Sequence, residues 1–308
     1  MNIRARVRAV VRYLRVSGAV RRVGASFRAA RWHLRLQRSI ALPVRFDLLA
    51  GQVANNAVFV VICLWNRPER LRALLDGLAS QRDCPPIRLV LWNNNTADDS
   101  RYRAMISEFT VSGALSSVEL HTNAVNLGGL ARFIAARKLI NRSEHQPFLM
   151  LDDDQDPGRC FVRDALAQYT PNSFAGVWAF RLKTGYWDRE ELTHGDKACY
   201  VGTGGSICDG ALLRSRTFFS RLPYRYAFVE DLWASAYFTA RSATVRKLDT
   251  PVAFTDSVAD QHHDLVWLKA EFFEYLVARF PAWSARCDAH NLSDEEANVK
   301  RSAGRGGR

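Results

Sequence analysis

From Ala57 onward, runs of consecutive apolar residues alternate with stretches whose apolar positions recur every three or four. VFVVICLW over 58–65 and IRLVLW over 87–92 are the clearest runs, and Leu71, Leu74, Leu75 and Leu78 mark an amphipathic helix between them. A strand that is apolar on both sides must be covered on both sides. The alternation therefore predicts a mostly parallel central sheet between helices, an α/β/α sandwich. Further strands are expected at Val118–Thr122, Phe148–Leu151 and Ala175–Arg181, with a helix from Gly129 to Asn141. Past residue 182 the pattern loosens, and a GYW stretch and a GTGG turn precede two helices near Asp231–Arg241 and Leu265–Phe280.

The first 46 residues have another texture. Ile3, Val7, Val10 and Leu14, then Val20, Val23, Phe27, Ala30 and Leu34, recur at helical spacing, while Arg4, Arg8, Arg12 and Arg15 take a different face. Gly18 and Gly24 divide the segment into two short helices. This arm holds twelve Arg and no acid; the whole chain has 43 basic and 31 acidic residues, so the body from Asp47 onward balances 31 against 31. The net charge of +12 thus belongs to the arm. A basic amphipathic arm on a neutral body points to an anionic membrane surface, where each Arg contributes about 1 kcal/mol. The neutral body and the lack of a recognition motif argue against nucleic acid as partner.

These shifts predict an arm over 1–46, an α/β body over 57–285 and a disordered basic tail over 298–308. Six scattered cysteines without a CxxC pair indicate neither a zinc module nor a disulfide framework, which fits a reducing compartment. No apolar run approaches the roughly 18 residues of a membrane span, and the N-terminal segment shows no apolar core of the roughly 7 to 15 residues a signal peptide has. The expected location is cytoplasmic, peripheral on the inner face of the cell membrane.

The sharpest chemical feature is PFLMLDDDQDP, residues 147–157. An apolar strand ends there in Asp152, Asp153 and Asp154, at the sheet edge where open α/β folds bind ligands. Strand alternation sets Asp152 and Asp154 on one side and Asp153 on the other. Three adjacent carboxylates repel unless a positive charge sits among them, and hard oxygen ligands suit Mg²⁺ or Mn²⁺ holding a diphosphate. A plain alternative is an acidic loop that caps the next helix.

With these residues in view the chain resembles an inverting glycosyltransferase of family 2, with the GT-A nucleotide-sugar-binding fold, over roughly residues 57–265. VVICLWNRPERL is similar to the opening strand and turn of that family, LVLWNNNTADDS to its second strand and loop, and NLGGLARF to its Gly-rich stretch. LDDDQDP resembles its aspartate motif, and FVEDLWAS its Glu-Asp motif.

The resemblance implies a metal-dependent transfer of a sugar from a nucleoside diphosphate, UDP foremost, to a hydroxyl of a glycan or lipid-linked acceptor in envelope polysaccharide synthesis. It assigns the catalytic base to Asp231 and acceptor contact to Glu230. Trp65, Asn66 and Asn94, in a loop with Asn93 and Asn95 where the family usually has an acid, would seat the nucleotide, with Asp152 and Asp153. Gly128 and Gly129 allow close approach of the donor, and Arg132 is set to pair with phosphate. Asp154 and Asp152 are the expected metal ligands, with His262 or His263 completing the sphere. Gly204 and Gly205 belong to a flexible stretch between donor and acceptor, and Trp178 and Trp187 are candidates for stacking on sugars. Two other readings fit parts of this pattern: a non-catalytic binding module of the same fold, and a nucleotidyltransferase.

Overall fold

The computed structural model describes residues 26–27, 29–141, 144–255 and 265–287. Its centre is an eight-stranded sheet in the order β1-β4-β3-β2-β5-β11-β7-β12. From one edge these are β1 (Asp47–Gly51), β4 (Leu115–Thr122), β3 (Ile87–Asn93), β2 (Val58–Leu64), β5 (Pro147–Asp152), β11 (Ser206–Asp209), β7 (Ser173–Gly176) and β12 (Thr244–Lys247). The strands from β4 through β5 run parallel, β1 and β11 run against their neighbours, and β12 is parallel to β7. The sheet is thus mixed and mostly parallel, as the hydrophobic pattern predicts.

Alternation along β2 divides the core. Phe59 and Val61 join the apolar cluster under α4 (Leu130–Leu139), α7 (Glu230–Thr239) and α8 (Val266–Arg279). Val58, Val60, Ile62 and Leu64 join a second cluster under α2 (Leu71–Ala79), α3 (Asp99–Ser107) and α5 (Phe161–Ala167). Two filled cores, one on each sheet face, account for the uninterrupted apolar character of the inner strands.

Two expectations change. The run Ala175–Arg181 is two elements, because the chain leaves the central sheet after Gly176 and re-enters as β8 (Ala179–Leu182) of a second sheet, β10-β8-β9. Apolar character is equal on both sides of that crossing, so the pattern alone reads straight through it. The stretch 200–210 is also more regular than expected. After β10 (Tyr200–Val201), β11 is fully buried between β5 and β7. A third, two-stranded sheet pairs β6 (Gln155–Pro157) with β13 (Val252–Phe254); β9 is Arg189–Glu191 and α6 is Thr217–Ser220.

The expected first arm helix and the tail lie outside the described residues, as do His262 and His263. A helix over 29–41, α1, is described, and it docks on the body through Trp32, Leu36 and Ile40. Phe27 and Leu34 instead face solvent. Leu34 stands two positions from Trp32, about 200° around the helix, so the side that carries it is the wrong one for docking. Lys138 of α4 closes the end of α1 by donating from Nζ to the carbonyls of Ile40 and Leu42. None of the helices among the described residues is long and apolar enough to cross a membrane.

Docking of α1 carries a measurable consequence. Leu36→Ala is expected to cost about 2–5 kcal/mol in denaturant unfolding, the usual range for a fully buried Leu. Leu34→Ala should change stability by less than about 0.5 kcal/mol. Equal effects of the two changes would place the helix off the core.

Candidate active site

Parallel register brings three strand ends to one level. Cys63 of β2 pairs with Asp152 of β5, and Leu64 with Asn93 of β3. Trp65, the Asn93–Asn95 loop and the Asp152–Asp154 turn therefore leave the sheet side by side at its carboxyl edge. The antiparallel entry of β11, with Ser206 opposite Met150, carries the 202–205 turn to the same edge. Together with the start of α7 they surround a cavity of about 640 Å³. Trp65, Asn94, Gly129, Arg132, Asp152, Asp153, Asp154, Trp178, Gly204, Glu230 and Asp231 all line it.

Asp152 is the last residue of β5, and residues 153 and 154 form a turn rather than continuing the strand, so the expected alternation of the three carboxylates does not hold. Each carboxylate instead has its own partner. Asp153 is buried, its Oδ1 accepting from Arg67 at 2.6 Å and its Oδ2 from the Trp65 amide at 2.9 Å. Asp154 lies 3.2 Å from the same Arg67 guanidinium. Asp152 pairs with Arg132, whose other terminal nitrogen donates to Glu230 Oε1 at 3.1 Å. Arg132 is 4% exposed, and in this structure it joins the sheet edge to α7 rather than standing free for phosphate.

The glycines make room for that bridge. A Cβ on Gly129 would fall 1.7 Å from Glu230 Oε1, and one on Gly204 would fall 2.1 Å from Asp152 Oδ2. What presses against these positions is the chain's own carboxylates, so their lack of a side chain is a packing requirement. The asparagines likewise serve the loop. Asn94 donates to the Gly128 carbonyl and accepts from the Leu127 amide, tying the Gly-rich turn to the end of β3. Asn66, with φ of 56°, accepts from Asn95.

At the start of α7, Asp231 accepts from Tyr200 through Oδ2 and from the Leu232 amide through Oδ1. Lys269 Nζ, from α8, lies 4.0 Å from Oδ2. Burial and the nearby carboxylate push the Tyr200 hydroxyl well above its ordinary range, so it stays a donor. For Lys269, burial favours the neutral amine, but Asp231 and Tyr186 outweigh it and raise its affinity for the proton. Glu230 is raised by burial, against which Arg132 acts. Burial lifts the Cys63 thiol to about 12, which leaves no thiolate for nucleophilic chemistry here.

Four carboxylates, Asp152, Asp153, Asp154 and Glu230, share two guanidiniums, Arg67 and Arg132. The deficit falls on Asp154, which burial and then Asp152 push up to about 6. Among the described residues no three His, Cys, Asp or Glu side chains converge into a closed metal cage. The arrangement suits a divalent cation bound by one or two carboxylates, whose remaining ligands come from water and phosphate. Thr255, which holds the Asp154 carbonyl, and Leu265 both line the cavity, and His262 and His263 fall between them in sequence.

Trp178 stacks on Phe254 at 4.6 Å, and its buried indole N–H has no hydrogen-bond partner among the described residues. Trp187 is 45% exposed and does not line the cavity. Sequence reading does not single out Arg67, Tyr186, Arg189, Tyr200 or Lys269. Arg67 is signalled by its place right after the Trp65-Asn66 turn; Lys269 is signalled only as a lone cation within the apolar run of α8.

No family model and no curated protein matches the chain. Among solved structures, the mannosyltransferase PcManGT from Pyrobaculum calidifontis, in complex with GDP-Man and Mn²⁺, matches with a TM-score of 0.52 at 12% identity, over 94% of this chain and 87% of that one. TarS 1–349 from S. aureus matches with a TM-score of 0.42 at 17% identity, over 62% of this chain and 58% of its own. The first of these likenesses establishes that the chain shares the fold of that mannosyltransferase.

The Arg132 bridge is testable by unfolding. Glu230→Ala removes one of the two carboxylates from a buried guanidinium and is expected to cost about 3 kcal/mol or more. Glu191→Ala, at an exposed position, should cost under about 0.5 kcal/mol. A Glu230 variant as stable as the parent would deny the bridge its structural role.

Proposed function

We propose that the protein is a metal-dependent inverting glycosyltransferase of family 2, moving a sugar from a nucleoside diphosphate to a hydroxyl of a glycan or lipid-linked acceptor. One observation carries this reading: a single cavity holds an under-neutralised carboxylate turn at the carboxyl edge of a parallel sheet and a second carboxylate, Asp231, at a helix start. The first end suits a cation and a diphosphate; the second suits a base. GDP-Man and Mn²⁺ in the mannosyltransferase of the same fold support a nucleoside diphosphate sugar as donor and a divalent cofactor. Uracil remains the base proposed from the sequence.

In this mechanism Asp231 takes the proton of the acceptor hydroxyl as its oxygen attacks the anomeric carbon. The bond to the diphosphate breaks on the opposite face, which inverts the configuration. Both Asp231 oxygens accept a hydrogen bond, yet each retains a further lone pair for the proton. Tyr200 and the Leu232 amide fix the orientation of the carboxylate. Asp154 and Asp152, with His262 or His263, would hold Mn²⁺ or Mg²⁺, which when bound neutralises charge on the departing diphosphate. Trp65 offers an aromatic face to the nucleotide beside Asn94. Arg67 and Arg132 keep the acidic turn in shape before the donor arrives.

We further propose that the enzyme works on the inner face of the cell membrane, held there by its basic arm. Exposed Phe27, Leu34 and Leu42 are interspersed with Arg31, Arg35 and Arg38 along its described part, a composition suited to an anionic headgroup region.

Asp231→Asn tests the mechanism. Loss of general-base catalysis is expected to lower the transfer rate by about 10²–10⁴-fold while nucleotide affinity stays within twofold. Full activity of the variant would remove Asp231 from this role.

A further inference from the structure

Four cations line the cavity: Arg67, Arg132, Arg189 and Lys269. The first two are consumed by the acidic turn and Glu230, and Lys269 sits beside Asp231. Arg189, the first residue of β9, forms no ion pair among the described residues. Glu190, next to it on the opposite side of the strand, pairs with Arg181 at 3.6 Å and Lys183 at 3.5 Å. A solvent-facing Arg without a counter-ion is usually a loose, hydrated group. This one is fixed in aromatic surroundings.

Its guanidinium carbon lies 4.5 Å from the Phe180 ring centroid and 5.4 Å from the centroids of both Tyr186 and Trp187. One terminal nitrogen donates to the Tyr186 hydroxyl at 3.4 Å. Stacking of this kind holds the planar fork in place without neutralising it, so little side-chain freedom remains to be lost on meeting an anion. Tyr186 in turn lies 3.4 Å from the Tyr200 hydroxyl, and Tyr200 donates to Asp231. The unneutralised fork is therefore connected, through two phenols, to the carboxylate that faces the acceptor hydroxyl. The diphosphate end of the cavity has its own cations, and Arg189 is not one of them.

We infer that Arg189 forms an acceptor subsite for an anionic substituent, a carboxylate or a phosphate carried near the hydroxyl that receives the sugar, so that the acceptor is an acidic glycan. This rests on the proposed function, since it takes Asp231 as the acceptor-side group. Both anions match the guanidinium fork, which donates two parallel hydrogen bonds to either.

The test uses the full chain with Mn²⁺ and saturating nucleoside diphosphate. Ligand-observed NMR titration compares methyl glucoside, methyl glucuronide and glucose 6-phosphate on the parent, Arg189→Lys and Arg189→Ala. At least one anionic probe is expected to bind about tenfold or more tightly than the neutral glucoside, as charged hydrogen bonds allow. Arg189→Ala should erase that preference and Arg189→Lys should retain part of it, with nucleotide affinity by calorimetry within twofold throughout. Preference for glucuronide assigns a carboxylate, and preference for the sugar phosphate assigns a phosphate. The inference is overturned if neither anion outbinds the glucoside, if the preference survives Arg189→Ala, or if Arg189→Ala weakens the nucleotide. Should the parent bind no nucleotide, the proposed function fails, while a charge preference abolished by Arg189→Ala would still mark the anion subsite.

Discussion

A buried guanidinium must be paired, and Arg132 is paired at both ends by carboxylates from distant parts of the chain. Asp152 comes from the end of a central strand and Glu230 from the start of a helix almost eighty residues later. Leaving Arg132 or Glu230 unmatched in so dry a place costs several kcal/mol, whereas Asp152 is partly exposed, so the Arg132–Glu230 contact determines how α7 approaches the sheet edge. The smallest side chains at Gly129 and Gly204 follow from it, because any Cβ there would occupy the space of Glu230 or Asp152. Asp231 owes its place in the cavity to the same constraint, being the next residue along α7.

The bridge also shapes the charge of the cavity. By absorbing Asp152 and Glu230, Arg132 leaves Arg67 to serve Asp153 and Asp154 alone. Asp153 takes the closer contact and a backbone amide besides, so the shortfall concentrates on Asp154, whose carboxyl holds its proton up to about 6. An added cation relieves this shortfall, and the two halves of the cavity then differ in kind. One is acidic and suited to a metal diphosphate; the other carries Asp231, Tyr200 and Lys269 with the aromatic wall around Arg189.

Much of the fold is legible from periodicity. The fully apolar strands around β2 and the Leu71-Leu74-Leu75-Leu78 face need no partner to be recognised, because each reports burial directly. The crossing after Gly176 and the docking face of α1 are not legible, since both depend on which distant surface the chain meets. In the site, Asp152–Asp154 and Glu230-Asp231 stand out as acids at the ends of apolar elements. Their partners are less legible: Arg67 is one among 43 basic residues, Arg132 is singled out toward phosphate and not toward the carboxylates it joins, and Arg189 gains meaning only from rings brought to it by β8 and by Tyr186. The alternation expected for the three aspartates fails because the strand stops at Asp152 and the turn, not the pleat, sets their directions.

The central claim is that the acidic turn receives a nucleoside diphosphate together with a divalent cation. The most direct measurement is calorimetric titration of UDP, GDP and dTDP, each with and without Mn²⁺, into the parent protein and Asp154→Ala. Binding of at least one nucleotide that requires the metal and is lost in the variant is the expected result. Absence of binding under every metal condition, or binding that neither the metal nor Asp154 affects, would contradict it.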